Sequence, residues 1–267
     1  MPKSLKRQLI ALAALAFGLS ACTVTAADEP NDTPRFPTSA DYGPSVMERF
    51  SFEAGGGLGW RLSGLRTPHP EAPLRVIVVS GTPSWSEYWA PVLAAAPADW
   101  EMIVVDRPGF AESEPRRAVP LIADQAAALT PLLDVGPGRR VVLIGQSFGG
   151  PIATLMAAQA EPEQRPEGLV LLSAFFGDRG STANRLMALG AVTQPLLPRD
   201  LRNAVSEVRG QSRQLPDIYA ALDALDLPVV VLHGDADTFV PVSSAQAMAA
   251  RLGARGQLRL VAEGDHF

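Results

Sequence analysis

The sequence predicts an α/β domain: a mostly parallel, doubly wound sheet with helices on both faces. Three observations carry the prediction. Six short apolar runs, near 75–80, 102–106, 140–145, 168–173, 229–233 and 258–262, are continuous rather than alternating, as strands buried on both faces of a parallel sheet read. Alanine- and leucine-rich stretches at 119–134, 152–160 and 243–252 fall between them and read as helices. One strand–helix junction carries Gly145-Gln146-Ser147-Phe148-Gly149, a G-x-S-x-G of the kind that lifts a serine hydroxyl above a sheet on a sharp turn. With 267 residues, 47% of them hydrophobic, the chain has room for one such domain with a substantial core.

Residues 1–21 read as an export signal. Lys3, Lys6 and Arg7 supply a positive start, and 9–19 is apolar but too short to span a bilayer comfortably. Leu19-Ser20-Ala21-Cys22 resembles the lipobox of bacterial lipoproteins, which implies cleavage before Cys22 and attachment of lipid, palmitate included, to it. Cys22 is the one cysteine, so no internal disulfide is available. Residues 22–44, rich in Asp, Thr, Ala and Pro, would form a flexible tether on the order of 25 Å long. Thr23 after the cysteine implies, by the same family rule, transport to the outer membrane, facing the periplasm.

The domain then occupies 45–267. Residues 50–53 and 60–64, split by Gly55-Gly56-Gly57, make an opening hairpin. In the serine turn, Gly145 and Gly149 remove Cβ atoms that would collide across the bend. Pro151 suits the first turn of the following helix, where N–H groups lack intrahelical partners. The interval 174–225 breaks the alternation and is helical in composition, with Leu186, Met187, Leu189, Val192, Leu196 and Leu197 set among arginines. A lid over an apolar pocket and an insertion packed on the core both fit it.

A serine needs a base, and the base an orienting acid. The chain has three histidines. His69 lies in a proline-punctuated loop, and His233 ends an apolar run, a structural position. His266 follows the short strand at 258–262. The order is then Ser147, an aspartate near Asp237, and His266, which is the chain order of the α/β-hydrolase triad.

From here the chain resembles the α/β-hydrolase superfamily over roughly 50–267, close to single-domain esterases and haloperoxidases. His233-Gly234-Asp235-Ala236-Asp237-Thr238-Phe239-Val240-Pro241 looks like the family's acid-bearing loop, and its spacing to Val240-Pro241 favours Asp237 over Asp235. Gly264-Asp265-His266-Phe267 resembles the terminal G-x-H-F. Ser80-Gly81-Thr82-Pro83 stands where relatives read H-G-x-P, with Ser80 for the usual histidine. The resemblance implies oxyanion donors at the backbone N–H groups of Thr82 and Phe148. Asp106-Arg107-Pro108-Gly109-Phe110-Ala111-Glu112-Ser113 matches the family's D-x-P-G-x-G-x-S, with Ala111 for a glycine. It also implies a short helical cap after the sixth strand, at about 174–225. Relatives continue past the histidine with another helix, so either the sequence is truncated after Phe267, the favoured expectation, or the protein lacks that helix.

The resemblance implies a serine hydrolase cleaving an ester or related acyl bond, with Ser147 as nucleophile, His266 as base and Asp237 as its orienting acid. No cofactor is expected: metal-ligand spacing is absent, and no G-x-G-x-x-G follows a first strand. A serine in the turn argues against the branches that use aspartate there, haloalkane dehalogenases and epoxide hydrolases. Carbon–carbon bond hydrolases, thioesterases, acyltransferases and cofactor-free haloperoxidases share the triad and stay open. So does a catalytically silent, lipid-anchored binding protein. Removing the three cations of the signal takes the net charge from −5 to −8, which leaves nothing to attract nucleic acid. The expected partners are a small acyl substrate and, through Cys22, a membrane.

Overall fold

Valine, isoleucine and leucine runs set eight strands in a single sheet among the described residues. The computed structural model describes residues 36–177, 182, 185, 190 and 193–266. The expected signal, Cys22 and much of the tether lie outside them, as do Leu186, Met187, Leu189 and Val192 of the expected cap. Strands β1 (Glu48–Glu53) and β2 (Arg61–Arg66) form the antiparallel hairpin. They are followed by β3 (Leu74–Val79), β4 (Trp100–Asp106), β5 (Arg140–Gln146), β6 (Gly168–Leu172), β7 (Val229–Gly234) and β8 (Gly256–Val261). The spatial order is β1-β2-β4-β3-β5-β6-β7-β8. β2 pairs antiparallel with β4, and every later pairing is parallel. The order reverses at β3, so β5 starts the second wing, and the carboxyl ends of β3 and β5 flank the crevice where such sheets bind ligands.

Among the described residues, seven α-helices accompany the strands: α1 (Ser39–Tyr42), α2 (Ala90–Ala94), α3 (Ile122–Leu129), α4 (Gly149–Gln159), α5 (Arg199–Gln211), α6 (Leu215–Ala224) and α7 (Val242–Leu252). Alternation along the strands divides the core. Ile77 and Val79 join Ile103, Val105 and Leu143 on one face, beneath Ile122 and Leu129 of α3 and Ile152 and Met156 of α4. Val76 and Val78 join Val104, Leu65 and Met47 on the other, beneath Ala90 and Leu93 of α2. Helix α4 buries every residue from Gly149 to Ala157. Its small and apolar side chains leave it no solvent face, which suits a helix pressed between sheet and neighbouring helices.

Two expectations need correction. Burial on both faces holds for β3 and β4, whereas β5, β6 and β7 alternate between buried and half-buried residues, and β8 is largely exposed. Their continuous apolar runs signal the parallel ladder more than equal cover on each side. The stretch 119–134 is not one helix. α3 starts two residues after Pro120 and gives way to a 3-10 turn at Thr130–Leu133, because Pro131 has no N–H to continue the ladder.

Between β6 and β7, α5 carries Asn203, Glu207 and Gln211 at four-residue spacing, all buried, so this helix turns a polar seam inward. Among the described residues, no helix is long and apolar enough to cross a membrane.

Candidate active site

Ser147 sits between the end of β5 and the start of α4, with φ at +50°. A left-handed conformation costs a residue with a Cβ about 1–2 kcal/mol, so the surroundings must hold it there. They do so through the backbone. Ser147 N–H donates to Leu172 O at 2.9 Å, and its carbonyl accepts from Gly150 N–H at 3.0 Å and Phe175 N–H at 2.9 Å. The flanking glycines permit the bend. A Cβ on Gly145 would lie 2.6 Å from Gly150 Cα, and one on Gly149 would lie 1.9 Å from Val79 O.

His266 reaches Ser147 from the loop after β8. Its Nε2 lies 3.0 Å from Ser147 Oγ and its Nδ1 2.8 Å from Asp237 Oδ2. The ring is only 8% exposed and stacks on Phe239, centroids 5.5 Å apart. Asp237 comes from the loop after β7, its Oδ1 accepting the N–H groups of Phe239 and Val240, each at 2.8 Å. Burial opposes its ionisation. The hydrogen bond from His266, the Val240 N–H, the field of His266 and the Phe239 N–H outweigh that and hold the carboxyl below its ordinary value. An ionised Asp237 fixes the His266 proton on Nδ1 and leaves Nε2 free to accept from the serine hydroxyl.

The neighbouring candidates have other positions. Asp235 accepts Glu263 N–H at 2.7 Å, which ties the acid loop to the histidine loop. His233 is buried, with Nε2 2.9 Å from Val240 O and 3.4 Å from Asp237 Oδ2, so it braces the acid loop from behind. His69 lies in the turn before β3, where its carbonyl accepts Ala72 N–H.

The loop after β3 lies directly against the serine turn: a Cβ on Gly81 would come within 2.8 Å of Ser147 Cβ. Gly81 N–H donates to Gln146 Oε1 at 2.7 Å. Among the described residues, the Thr82 and Phe148 N–H groups have no acceptor, and neither do the buried hydroxyls of Ser80 and Thr82 have a partner. This leaves two backbone donors in the serine turn and the loop packed against it. No cluster of three or more His, Cys, Asp or Glu among the described residues is placed to hold a metal.

Sequence reasoning missed the residues behind this loop. Arg107, Gln125 and Glu207 form a fully buried polar network, with Arg107 Nη1 2.7 Å from Glu207 Oε1. The match of residues 106–113 to D-x-P-G-x-G-x-S gives Arg107 no chemistry of its own. Four-residue spacing puts Asn203, Glu207 and Gln211 on one helix face, but nothing in sequence turns that face inward or pairs Glu207 with a residue a hundred positions earlier. Such a pair is not itself a large source of stability, whereas removing one partner costs about 3–5 kcal/mol.

Comparison with known proteins agrees with this architecture. A family model described as alpha/beta hydrolase fold matches residues 75–191. A pimeloyl-[acyl-carrier protein] methyl ester esterase of Vibrio atlanticus is 27% identical over 231 residues, covering 71% of this chain and 83% of the relative. A 2-hydroxy-6-oxononadienedioate/2-hydroxy-6-oxononatrienedioate hydrolase of Paraburkholderia phymatum is 26% identical over 198 residues, 61% of this chain and 69% of the relative. Among solved structures, a bacterial membrane phospholipase A superposes with a TM-score of 0.63 at 21% identity, over 99% of this chain and 92% of that one. A thermophilic esterase of Thermogutta terrifontis gives 0.61 at 21% identity, over 82% and 91%. Matched model, sheet order and structural neighbours lead to one conclusion: the chain has the α/β-hydrolase fold.

Proposed function

We propose that the protein is a serine hydrolase of carboxylic esters that works through an acyl-enzyme. The observation that carries this reading is the hydrogen-bonded row from Ser147 Oγ to His266 Nε2 at 3.0 Å and from His266 Nδ1 to Asp237 Oδ2 at 2.8 Å. In the first half-reaction Ser147 Oγ attacks the ester carbonyl carbon as His266 Nε2 takes the hydroxyl proton. The bond to the alcohol oxygen breaks, and the departing alkoxide takes that proton from His266. Water then adds to the acyl carbon by the same base, and Ser147 leaves protonated. Asp237 holds the ring's tautomer and stabilises the imidazolium. The N–H groups of Thr82 and Phe148 would bind the oxyanion, each worth ~3 kcal/mol in the transition state.

The esterase relative supports the ester assignment. The carbon–carbon bond hydrolase relative supports a second reading with the same three residues, in which a carbanion rather than an alkoxide departs. Hydrolysis of nitrophenyl acetate, butyrate and octanoate, with Ser147→Ala alongside, decides between them. The ester reading expects turnover that vanishes in the variant. Folded, inert protein toward all three esters would sink it and leave carbon–carbon cleavage or ligand binding without chemistry.

We also propose, from the lipobox, that Cys22 carries lipid and tethers the enzyme at the outer membrane, facing the periplasm. Full-length protein should partition into detergent, and Cys22→Ala should move it to the aqueous phase. Equal partitioning of the two would refute the anchor.

A further inference from the structure

The guanidinium of Arg107 is fully buried, and all five of its N–H donors are used. Nε donates to Ser80 O at 2.9 Å and Nη2 to Gly81 O at 2.7 Å. The remaining N–H groups reach Gln125 Oε1 at 2.6 Å and both carboxylate oxygens of Glu207, at 2.7 and 3.2 Å. Gln125 in turn donates to Glu207 Oε1 at 2.6 Å and Val119 O at 2.7 Å. The same guanidinium lies over the Phe148 ring, 5.4 Å from its centroid. One side chain therefore bonds the carbonyl of the peptide group that carries the Thr82 N–H and also lies over Phe148.

We propose that Arg107 is a positioning residue for the oxyanion-binding loop, and that Glu207 couples that loop to α5. The proposal rests on the serine-hydrolase reading above. Gly81 C=O and Thr82 N–H belong to one peptide group, so a hydrogen bond accepted by the carbonyl polarises the N–H that would face the oxyanion. The preceding peptide is held at both ends as well, Ser80 C=O by Arg107 and Gly81 N–H by Gln146 Oε1 at 2.7 Å. The ion pair is also an oriented dipole. Its positive end abuts the loop and its negative end belongs to α5, so it favours negative charge developing beside Thr82 without reorganising. Stability alone does not call for a charged pair here, since well-packed apolar side chains serve a buried site as well or better. Asn203 Nδ2, donating to Gly109 O at 2.7 Å, and Gln211 Nε2, donating to Phe175 O at 2.8 Å, clamp the rest of the seam. Phe175 N–H donates to Ser147 O, so displacement of α5 reaches the nucleophile by a second route.

The test compares the full-length protein in detergent with Arg107→Lys and with the triple apolar variant Arg107→Met, Gln125→Leu, Glu207→Leu, which leaves neither charge buried alone. Folding is checked by circular dichroism and thermal melting. The readouts are kcat and KM on nitrophenyl butyrate, inhibition by phenylboronic acid as a tetrahedral mimic, and the rate of Ser147 labelling by a fluorophosphonate. We expect the folded triple variant to lose about 10- to 100-fold in kcat, between a misplaced group and a deleted donor, with KM within threefold. Boronate affinity should fall in parallel, and Arg107→Lys should recover part of both. A folded triple variant with kcat and boronate affinity within threefold of wild type overturns the proposal and leaves the serine-hydrolase reading intact. Wild-type protein inert to ester, boronate and fluorophosphonate alike overturns that reading, and the proposal with it.

Discussion

Replacing Asp237 by asparagine separates the carboxylate's charge from its shape. Asp237 Oδ1 accepts two backbone N–H groups, from Phe239 and Val240, at 2.8 Å each. An asparagine keeps both bonds only with its oxygen toward them. Flipping the amide would forfeit two hydrogen bonds of about 0.5–1.5 kcal/mol each and set N–H groups against N–H groups. Held in place, its Nδ2 faces His266 Nδ1, where the carboxylate oxygen stood at 2.8 Å. His266 Nδ1 must then accept, and its proton moves to Nε2, which points at Ser147 Oγ from 3.0 Å. A donor now faces the nucleophile where a base is required. The expected loss is about 10⁴ in kcat, as when a triad imidazole is locked in the wrong tautomer, or about 5 kcal/mol in the barrier. KM on nitrophenyl butyrate should change little, because the ground-state pocket is untouched. A folded Asp237→Asn enzyme with kcat within tenfold of wild type would refute the assignment of Asp237 as the orienting acid.

Other consequences follow from the same geometry. Gly149→Ala places a Cβ 1.9 Å from Val79 O and 2.8 Å from Ser80 O, both backbone atoms of the strand end, and should cost about 3 kcal/mol or more in urea denaturation; an unchanged midpoint would contradict the close packing of this turn. Ala111 has φ at +45°, so Ala111→Gly should stabilise by about 0.5–1 kcal/mol after the entropy of the added glycine is subtracted, and a loss of stability would count against strain at that site. The Asp237 carboxyl binds its proton less tightly when folded than its ordinary value of 3.8, so its stabilising contribution is full above about pH 4 and is lost as pH falls through the lower folded value. The stability difference between wild type and Asp237→Asn should therefore shrink from pH 6 to pH 3, and a difference that widens would reverse the inferred shift.

Much of the fold was legible because the physics was local. Val229–Gly234 and Arg140–Gln146 read as strands from their own side chains, and the serine turn from two glycines that nothing larger could replace. Asp237 and His266 were placed by chain order and by resemblance, and His266 lies within hydrogen-bond reach of both Asp237 and Ser147. Pro131 was equally local, and its missing N–H explains where the helix over 119–134 breaks. The half-open face of β5 to β7 was not legible, since an apolar run does not reveal which of its two sides a helix covers. Least legible was the Arg107–Glu207 network. Each residue reads alone as a solvated charge, and only the packing of α5 over the loops after β3 and β4 makes them partners. The polar seam at 203, 207 and 211 looks like an ordinary exposed helix face until its environment is known.

The most direct test of the account is the site of covalent capture. Full-length protein treated with diisopropyl fluorophosphate, digested and sequenced by mass spectrometry should carry one adduct, on Ser147. Ser147→Ala should carry none, and His266→Ala should react far more slowly because the hydroxyl has lost its base. Failure of the folded wild-type protein to react, or an adduct on another residue while Ser147 stays free, would contradict the claim that Ser147 is the activated nucleophile.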